Sequence, residues 1–292
     1  MSVAVRRGGV VEAVHRVHAV AYQDGKVVAS AGDPGLVSFL RSSAKPFQAL
    51  ELVRSREDLH ERDIAIASAS HRGEPVHIEA VHALLDLSGV KEDDLECGTQ
   101  EGRPPRRIYH NCSGKHAGML ATCRARGWRT EGYRMPGHRM QRANGADIAA
   151  AAEVDEERIH TGTDGCGVVT WALPLERMAA MFSRLEASDE GARIATAMRA
   201  RPELISEEGG TDTELMRTLD GFAAKGGAEG LLCVAGPDGL GIALKSEDGA
   251  YRAARPAIAS FLGDLGYDPG SYGEVVVHNS RREAVGEVVT LR

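Results

Sequence analysis

A serine and a lysine stand three residues apart in Ser42-Ser43-Ala44-Lys45-Pro46, between an extended N-terminal region and a helical pattern. One turn brings side chains at this spacing to the same face, where they can share a proton. A serine hydroxyl is a weak nucleophile without a neighbouring base, and lysine serves as that base only where burial or nearby positive charge lowers its pKa. The segment predicts either a nucleophile with its base or, as is commoner for so short a pattern, a serine that opens a helix.

Two later segments carry residues that fit the same chemistry. Ser70 follows the apolar run 64–67, and Lys225 precedes two glycines and a strand pattern. Serine acyl-transferases with an S-x-x-K motif have an intervening polar motif and a later cationic motif in this order, and glycines beside the lysine let a substrate lie along a strand edge. Lys225 taken alone is typical of a loop, but the three motifs in this order favour a serine hydrolase.

A third group of residues has the chemistry of metal ligands. His110, Cys112 and His116 stand close together, and Cys166 lies in a turn rich in glycine. Sulfur and imidazole ligands suit zinc, whereas the simpler interpretation is two unrelated buried cysteines. The segment around Cys112 is not a phosphate-binding loop, because Tyr109 replaces a required glycine and His116 stands where a hydroxyl is needed.

The overall composition argues against some classes of function. The chain has 292 residues, of which 42% are hydrophobic and 26% charged, as in a globular protein with a sizeable core. Its net charge of −7 gives nucleic-acid binding no electrostatic support. Two short clusters of arginines are expected at the solvated surface, namely Arg103, Arg106, Arg107, Arg124, Arg126 and Arg129.

Nothing in the sequence resembles an export signal or a membrane span. Charged residues interrupt the apolar residues of positions 1–20, and no apolar run is long enough to cross a bilayer. We therefore expect a cytoplasmic protein, in which disulfides are uncommon. Its five cysteines are then expected to be core residues, metal ligands or catalytic thiols.

Hydrophobic periodicity predicts strands at both ends of the chain and helices between them. Predicted strands cover residues 14–20, 27–30, 37–40 and 286–291, with a hairpin over 230–234 and 239–245. Predicted helices cover 75–88, 119–126, 140–157, 174–185, 190–200, 213–219 and 253–265, and 64–67 fits a buried strand or the start of a helix. We predict one α+β domain, residues 1–292, with an antiparallel sheet formed by both termini and a helical region between.

Eight segments along the chain match one family. They are residues 15–18, 41–46, 69–71, 111–119, 162–166, 201–203, 225–228 and 241–249. The most specific are Asn111-Cys112-Ser113-Gly114-Lys115-His116 and Gly162-Thr163-Asp164-Gly165-Cys166. Through these segments the chain resembles the bacterial asparaginase II family, of the type found in rhizobia.

The resemblance implies a fold similar to that of serine β-lactamases and glutaminases. It implies two serine–lysine pairs as the catalytic groups, Ser42 with Lys45 and Ser70 with Lys225. Which of the two serines is acylated stays open at this point.

The resemblance also implies a zinc site formed by Cys112, Lys115 and Cys166, in place of the histidines considered above. A lysine must be neutral to donate its lone pair, and the metal itself lowers the pKa of its ligands. Arg41 and Asp164 are implied to lie near the substrate. Together these expectations describe a zinc-containing hydrolase.

The resemblance favours L-asparagine as the small-molecule substrate, hydrolysed to L-aspartate and ammonia. We expect a homodimer without a nucleic-acid or membrane partner. The alternatives are a β-lactam- or peptide-cleaving serine hydrolase and a zinc-stapled binding protein with a decayed active site. Arg41 and Asp164 favour asparagine, because they can pair with its α-carboxylate and α-amino groups. One departure from the family is Asp212, which stands near a position where some members carry a cysteine.

Overall fold

The computed structural model describes residues 1–291, so that Arg292, the last residue of the predicted domain 1–292, lies outside the described residues. The strands are β1 (Ser2–Arg7), β2 (Val10–Gln23), β3 (Lys26–Ala31), β4 (Val37–Phe39), β5 (His160–Thr163), β6 (Val169–Pro174), β7 (Ala223–Gly226), β8 (Leu231–Ala235), β9 (Gly241–Ser246), β10 (Val275–His278) and β11 (Ala284–Leu291).

The helices follow the same order along the chain. They are α1 (Lys45–Gln48), α2 (Leu50–Ser55), α3 (Glu61–Ala67), α4 (Pro75–Ser88), α5 (Ser113–Ala125), α6 (Arg139–Ala152), α7 (Leu175–Ser183), α8 (Asp189–Ala200), α9 (Pro202–Ile205), α10 (Thr211–Thr218) and α11 (Ala254–Asp264). No helix within residues 1–291 combines the length and the apolar character that a membrane crossing needs.

The main sheet joins both ends of the chain, as the sequence predicts. Across residues 1–291 it has eight antiparallel strands in the order β10-β11-β1-β2-β9-β8-β7, with β3 also paired to β2. Strand β2 links its two halves, because residues 10–16 pair with β1 and residues 17–22 pair with β9. Strands β4, β6 and β5 form a second, smaller sheet.

Helices cover the centre of the main sheet, which explains its composition. Every residue of β8 and β9 is buried, so these strands are apolar along their whole length rather than alternating. Helix α7 packs on β2, β8 and β9, and α11 packs on β1, β2, β9 and β11. The helices α2, α3, α4, α5, α8 and α9 pack mainly on one another beside the sheet.

Several predicted elements differ from the structure. Residues 64–67 belong to helix α3, and the helix predicted over 119–126 begins earlier, at Ser113. The helix predicted over 140–157 ends at Ala152. Strands β1, β5, β6, β7 and β10 are not predicted, because each has only four to six residues, and the strand propensity of so short a segment depends on the residues it packs against.

Helix α5 lies in the middle of the helical region and begins at the segment that carries Cys112. All of its residues from Ser113 to Cys123 are buried. A Cβ atom on Gly114 would overlap with the carbonyl group of Ile66, and one on Gly118 would lie 3.0 Å from Ala67 Cβ. The glycines therefore let the C-terminal end of α3 pack directly on α5, and this contact sets the position of the segment that follows α3.

We expect Gly114→Ala to lower the free energy of unfolding by about 2–3 kcal/mol, the usual cost of overpacking against atoms that cannot move aside. This holds although alanine is the better helix former. Gly137→Ala is the control, because nothing lies within 4 Å of its Cβ position, and it should change stability by less than about 0.5 kcal/mol. Urea unfolding followed by circular dichroism measures both, and equal stabilities would contradict the packing argument.

Candidate active site

The segment with Ser42 and Lys45 forms a tight turn rather than the interior of a helix. Residues Arg41–Ala44 form a 3-10 turn that runs into α1, and the backbone N–H of Lys45 donates to Ser42 O. Side chains three residues apart nearly eclipse in this geometry, so both lie on the same side, as the spacing predicts. Ser43 Oγ donates to Lys225 O at 2.8 Å and attaches the turn to β7.

The amine of Lys45 contacts the second predicted serine. Lys45 Nζ lies 2.9 Å from Ser70 Oγ and also donates to Ala69 O. Among the described residues these are the hydrogen bonds of Lys45 Nζ, so its direct serine partner is Ser70 and not Ser42. The structure thus joins the two serine–lysine motifs through one amine, whereas the sequence assigns each lysine its own serine.

Burial is the main cause of the lowered pKa of Lys45. The side chain is fully buried, and burial, supported by the positive charges of Lys225 and Lys115, lowers the pKa of Lys45 to about 8 against an opposing effect of Cys112. About a tenth of the amine is then neutral at pH 7, far more than for a lysine with its ordinary pKa. Lys45 meets the condition that the sequence sets for a base.

Ser70 is held by backbone and by the neighbouring histidine. The Ser70 N–H donates to Ile205 O at 2.8 Å. His71 Nε2 lies 2.9 Å from Ser113 Oγ, and because that hydroxyl donates to Ile108 O, the hydrogen lies on His71 Nε2. Burial lowers the pKa of His71 well below its ordinary value, so the ring is a neutral link between the Ser70 segment and α5.

Lys225 lies in strand β7 and not in the loop that its surroundings predict. Its Nζ atom lies 3.2 Å from Asp212 Oδ2 and 2.9 Å from Gly226 O. Asp212 also accepts from the Gly226 N–H at 2.8 Å and from Tyr251 Oη at 2.8 Å. The ion pair is almost completely buried, with 1% and 4% of the two side chains exposed.

The cleft beside Ser42 has two adjoining chambers. The first, of about 390 Å³, is lined by Ser70, Lys225, Asp212, Tyr251 and neighbouring polar residues. The second, of about 290 Å³, is lined by Arg41, Asp164, Cys112, Cys166 and neighbouring residues. Four residues line both chambers, namely Ser42, Gln100, Asn111 and Ala228. The predicted site residues therefore all line the cleft, except Lys45 and Lys115, which contact residues that do.

Arg41 and Asp164 form an ion pair in the second chamber. Arg41 Nε lies 2.6 Å from Asp164 Oδ1. Burial alone would raise the pKa of Asp164, but the charge of Lys115 and the hydrogen bond from Arg41 hold it below its ordinary value. Arg41 has a φ of 48°, a conformation that costs energy for a residue with a Cβ atom. The surrounding structure, including a 3.1 Å bond from its N–H to Thr170 Oγ1, holds it there.

Cys112, Lys115 and Cys166 are buried together next to this chamber. Lys115 Nζ lies 3.1 Å from Cys166 Sγ. A hydrogen bond from Cys112, assisted by the charge of Lys115, lowers the pKa of Cys166 to about 5 against the effect of burial. Burial lowers the pKa of Lys115, but the nearby sulfurs outweigh it, and the net shift is upward. The three groups form an ammonium–thiolate cluster.

The donor chemistry of this cluster fits zinc, since two sulfurs and one amine can bind it as thiolates and a neutral amine. Residues 1–291 contain no group of three or more His, Cys, Asp or Glu side chains arranged to hold a metal, so Lys115 would be needed as the third ligand. The two histidines have other contacts. His110 Nδ1 accepts from the Cys112 N–H at 3.0 Å, and His116 Nδ1 lies 2.6 Å from Tyr133 Oη.

Comparisons with known proteins identify the family of this chain. The sequence model of the family described as L-asparaginase II matches residues 3–290. The chain belongs to the L-asparaginase II family. It is therefore an enzyme of the asparaginase type, which hydrolyses amides, and the predicted family is confirmed.

The structural comparison shows the fold of this asparaginase in a second protein. Two crystal structures of Mglu in its native form are similar, one of them determined in 4.3 M NaCl. The first has a TM-score of 0.52 and 14% sequence identity, and the similarity covers 91% of this chain and 69% of that chain. The second has a TM-score of 0.52 and 13% sequence identity, and the similarity covers 87% of this chain and 62% of that chain. A comparison with curated protein sequences returns no match.

Sequence reasoning misses several residues of the asparaginase cleft. Arg103, expected at the solvated surface, is half-buried, and its Nη1 atom donates to His71 O at 3.1 Å and to Tyr109 O at 2.8 Å. Tyr251 lines the cleft and contacts Asp212, but no motif surrounds it. An arginine within a loop rich in proline and glycine is the one sequence signal that pointed to Arg103.

Proposed function

We propose that this enzyme hydrolyses the side-chain amide of L-asparagine, giving L-aspartate and ammonia, through an acyl intermediate on serine. The observation that carries this proposal is the 2.9 Å contact between the amine of Lys45 and the hydroxyl of Ser70, in a cleft that Ser42 shares. A buried lysine with a pKa of about 8 is the kind of base that a serine nucleophile requires.

The second chamber supports the choice of an amino acid as substrate. Asparagine carries a free α-carboxylate and a free α-ammonium group, and Arg41 and Asp164 offer the opposite charges side by side. Ser42 lies where the two chambers meet. An asparagine held by that ion pair would therefore present its side-chain amide at Ser42.

The chemistry follows from the proton positions. Neutral Lys45 takes a proton, passed through the Ser70 hydroxyl, as Ser42 Oγ bonds to the amide carbon. The proton then moves to the amide nitrogen, the C–N bond breaks, and ammonia leaves. Water hydrolyses the resulting ester with Lys45 again as the base, which restores the serine. In the competing version, Ser70 itself attacks, with the same proton acceptor.

We propose that Cys112, Lys115 and Cys166 hold a zinc ion. When bound, the zinc supplies a fixed positive charge beside Asp164, which organises the chamber for the substrate. Lys115 must release its proton for this, and both sulfurs must be thiolates. Cys166 is already prepared for this state, since its pKa is about 5.

Four further features remain predictions. They are the single catalytic domain 1–292, the detailed kinship with serine β-lactamases and glutaminases, the homodimer and the cytoplasmic location. The family match over residues 3–290 supports the first. The similarity to Mglu supports a shared fold with that protein.

Purified protein should release ammonia from L-asparagine, and Ser42→Ala and Ser70→Ala should each lower kcat by about 10³-fold or more, because removing one member of a cooperating set removes most of its effect. Ser68→Ala is the control, since Ser68 follows α3 directly and its Oγ donates to Ile64 O of that helix. Mass spectrometry after reaction with a diazoketone analogue of asparagine identifies the attacking serine. Near wild-type turnover in both variants would refute the serine–lysine mechanism.

The state of Lys45 gives a pH prediction. Neutral Lys45 is the active form and is present above its pKa of about 8, so kcat/KM should rise with pH through that value and then level off. Lys45→Arg should fold but lose activity at every pH, because arginine stays protonated in proteins. If Lys45→Arg stays active, Lys45 is not the base.

The metal proposal predicts about one zinc per chain in protein purified without chelator. Cys112→Ser and Cys166→Ser should each lose the metal, because serine is a poor zinc ligand. Cys97→Ser, Cys123→Ser and Cys233→Ser should retain it, because none of these three buried cysteines lines the two-chambered cleft. Elemental analysis measures all five, and fully active protein without zinc would remove the metal from the mechanism.

A further inference from the structure

The buried ion pair between Asp212 and Lys225 is not explained by proton transfer. Asp212 accepts three hydrogen bonds, from Lys225 Nζ, the Gly226 N–H and Tyr251 Oη. Lys225 forms a buried ion pair with this carboxylate and directs two of its three hydrogens at Asp212 and Gly226 O. An ammonium group has no lone pair with which to accept a proton.

The same ion pair lies next to the segment that carries the base. Ser43 Oγ donates to Lys225 O at 2.8 Å, so the turn that leads into Lys45 is attached to the backbone of Lys225 itself. The positive charge of Lys225 favours the neutral form of the Lys45 amine, as a neighbouring cation does for a buried amine in general.

We propose that Asp212 is a positioning residue that holds Lys225 as a fixed ammonium ion, and that the charge of Lys225 keeps Lys45 neutral and able to act as the base. This inference rests on the proposed function, in which Lys45 takes the proton. It gives Lys225 an electrostatic role in place of the catalytic pairing with Ser70 that the family resemblance implies. It also adds Asp212 and Tyr251 to the residues on which the reaction depends.

The charges around Lys45 agree with this role. Two lysines favour the neutral form of the Lys45 amine, Lys225 on β7 and Lys115 on α5. Two cysteines oppose it, Cys112 just before α5 and Cys166 after β5. Each of the two lysines has an anionic partner, Cys166 at 3.1 Å from Lys115 and Asp212 at 3.2 Å from Lys225. Of the two, Lys225 has the larger lowering effect on the pKa of Lys45.

The test is the pH profile of kcat/KM for L-asparagine. Lys225→Met should move the rising limb upward by about one pH unit, the size typical of losing a nearby charge, and should lower kcat/KM at pH 7 about tenfold. Lys225→Arg should keep the limb at its wild-type position, because it keeps the charge. Lys91→Met, at an exposed lysine outside the cleft, is the matched control and should change nothing. The proposal would be overturned if the rising limb does not move in Lys225→Met. It would also be overturned if Lys225→Arg is completely inactive, because that is the result expected of a proton relay.

Asp212 is tested by the direction of the shift. Asp212→Asn keeps the shape and removes the charge, and the limb should again move upward as Lys225 loses its anchor. A downward shift would mean that Lys225 stays charged and in place without Asp212, and would refute the positioning role. Lys225→Met leaves a buried carboxylate without its partner, so the double variant Lys225→Met with Asp212→Asn is measured as well. The same upward shift of the rising limb is expected, and an unmoved limb would contradict the proposal.

A measurement without substrate separates this inference from the proposed function. The ¹⁵N signal of Lys45 Nζ, assigned by its loss in Lys45→Arg, should titrate about one pH unit higher in Lys225→Met than in the wild type. If the wild type does not hydrolyse asparagine, the proposed function fails, but this titration still decides the role of Lys225. Equal titration in the two proteins would refute it.

Discussion

Lys45 places its amine where no water reaches it, and the rest of the site depends on that constraint. An ammonium ion loses its hydration on burial, which favours the neutral amine and lowers the pKa of Lys45 to about 8. The nitrogen still needs polar partners, and it finds them in the Ser70 hydroxyl and the Ala69 carbonyl. Both belong to the segment that follows α3. A single nitrogen atom therefore fixes the distance between α1 and that segment, and a shift of either would separate Lys45 from Ser70.

Strand β7 reaches the site because two glycines follow Lys225. A Cβ atom on Gly226 would overlap with Tyr251 Oη, and one on Gly227 would lie 2.9 Å from Leu40 O. From the sequence, these glycines are expected to leave room for a substrate along the strand edge. They do line the cleft, but the protein itself occupies the space next to them. Their first effect is to let the ion pair and the serine turn approach the strand from two sides.

Local sequence predicts the chemistry of the site better than its contacts. The spacing of Ser42 and Lys45 is a local property, and the structure places both on one side of a turn. The contact of Lys45 with Ser70 depends instead on how α3 packs against α5 through Gly114, which no short pattern encodes. Arg103 shows the same limit, because one of the two carbonyl groups that accept its hydrogen bonds, that of His71, lies 32 residues away in the sequence.

Three buried lysines in this enzyme differ in their partners more than in their burial. Lys45 faces a hydroxyl and a carbonyl, Lys115 faces a thiolate, and Lys225 faces a carboxylate. With neutral partners, burial prevails and the amine loses its proton readily; beside an anion, the ammonium form is stabilised. In the proposed mechanism, the site thus combines a base with fixed positive charge. Both are useful when a proton is removed while negative charge develops on a carbonyl oxygen. The division of roles among the lysines therefore resides in the residues that face them.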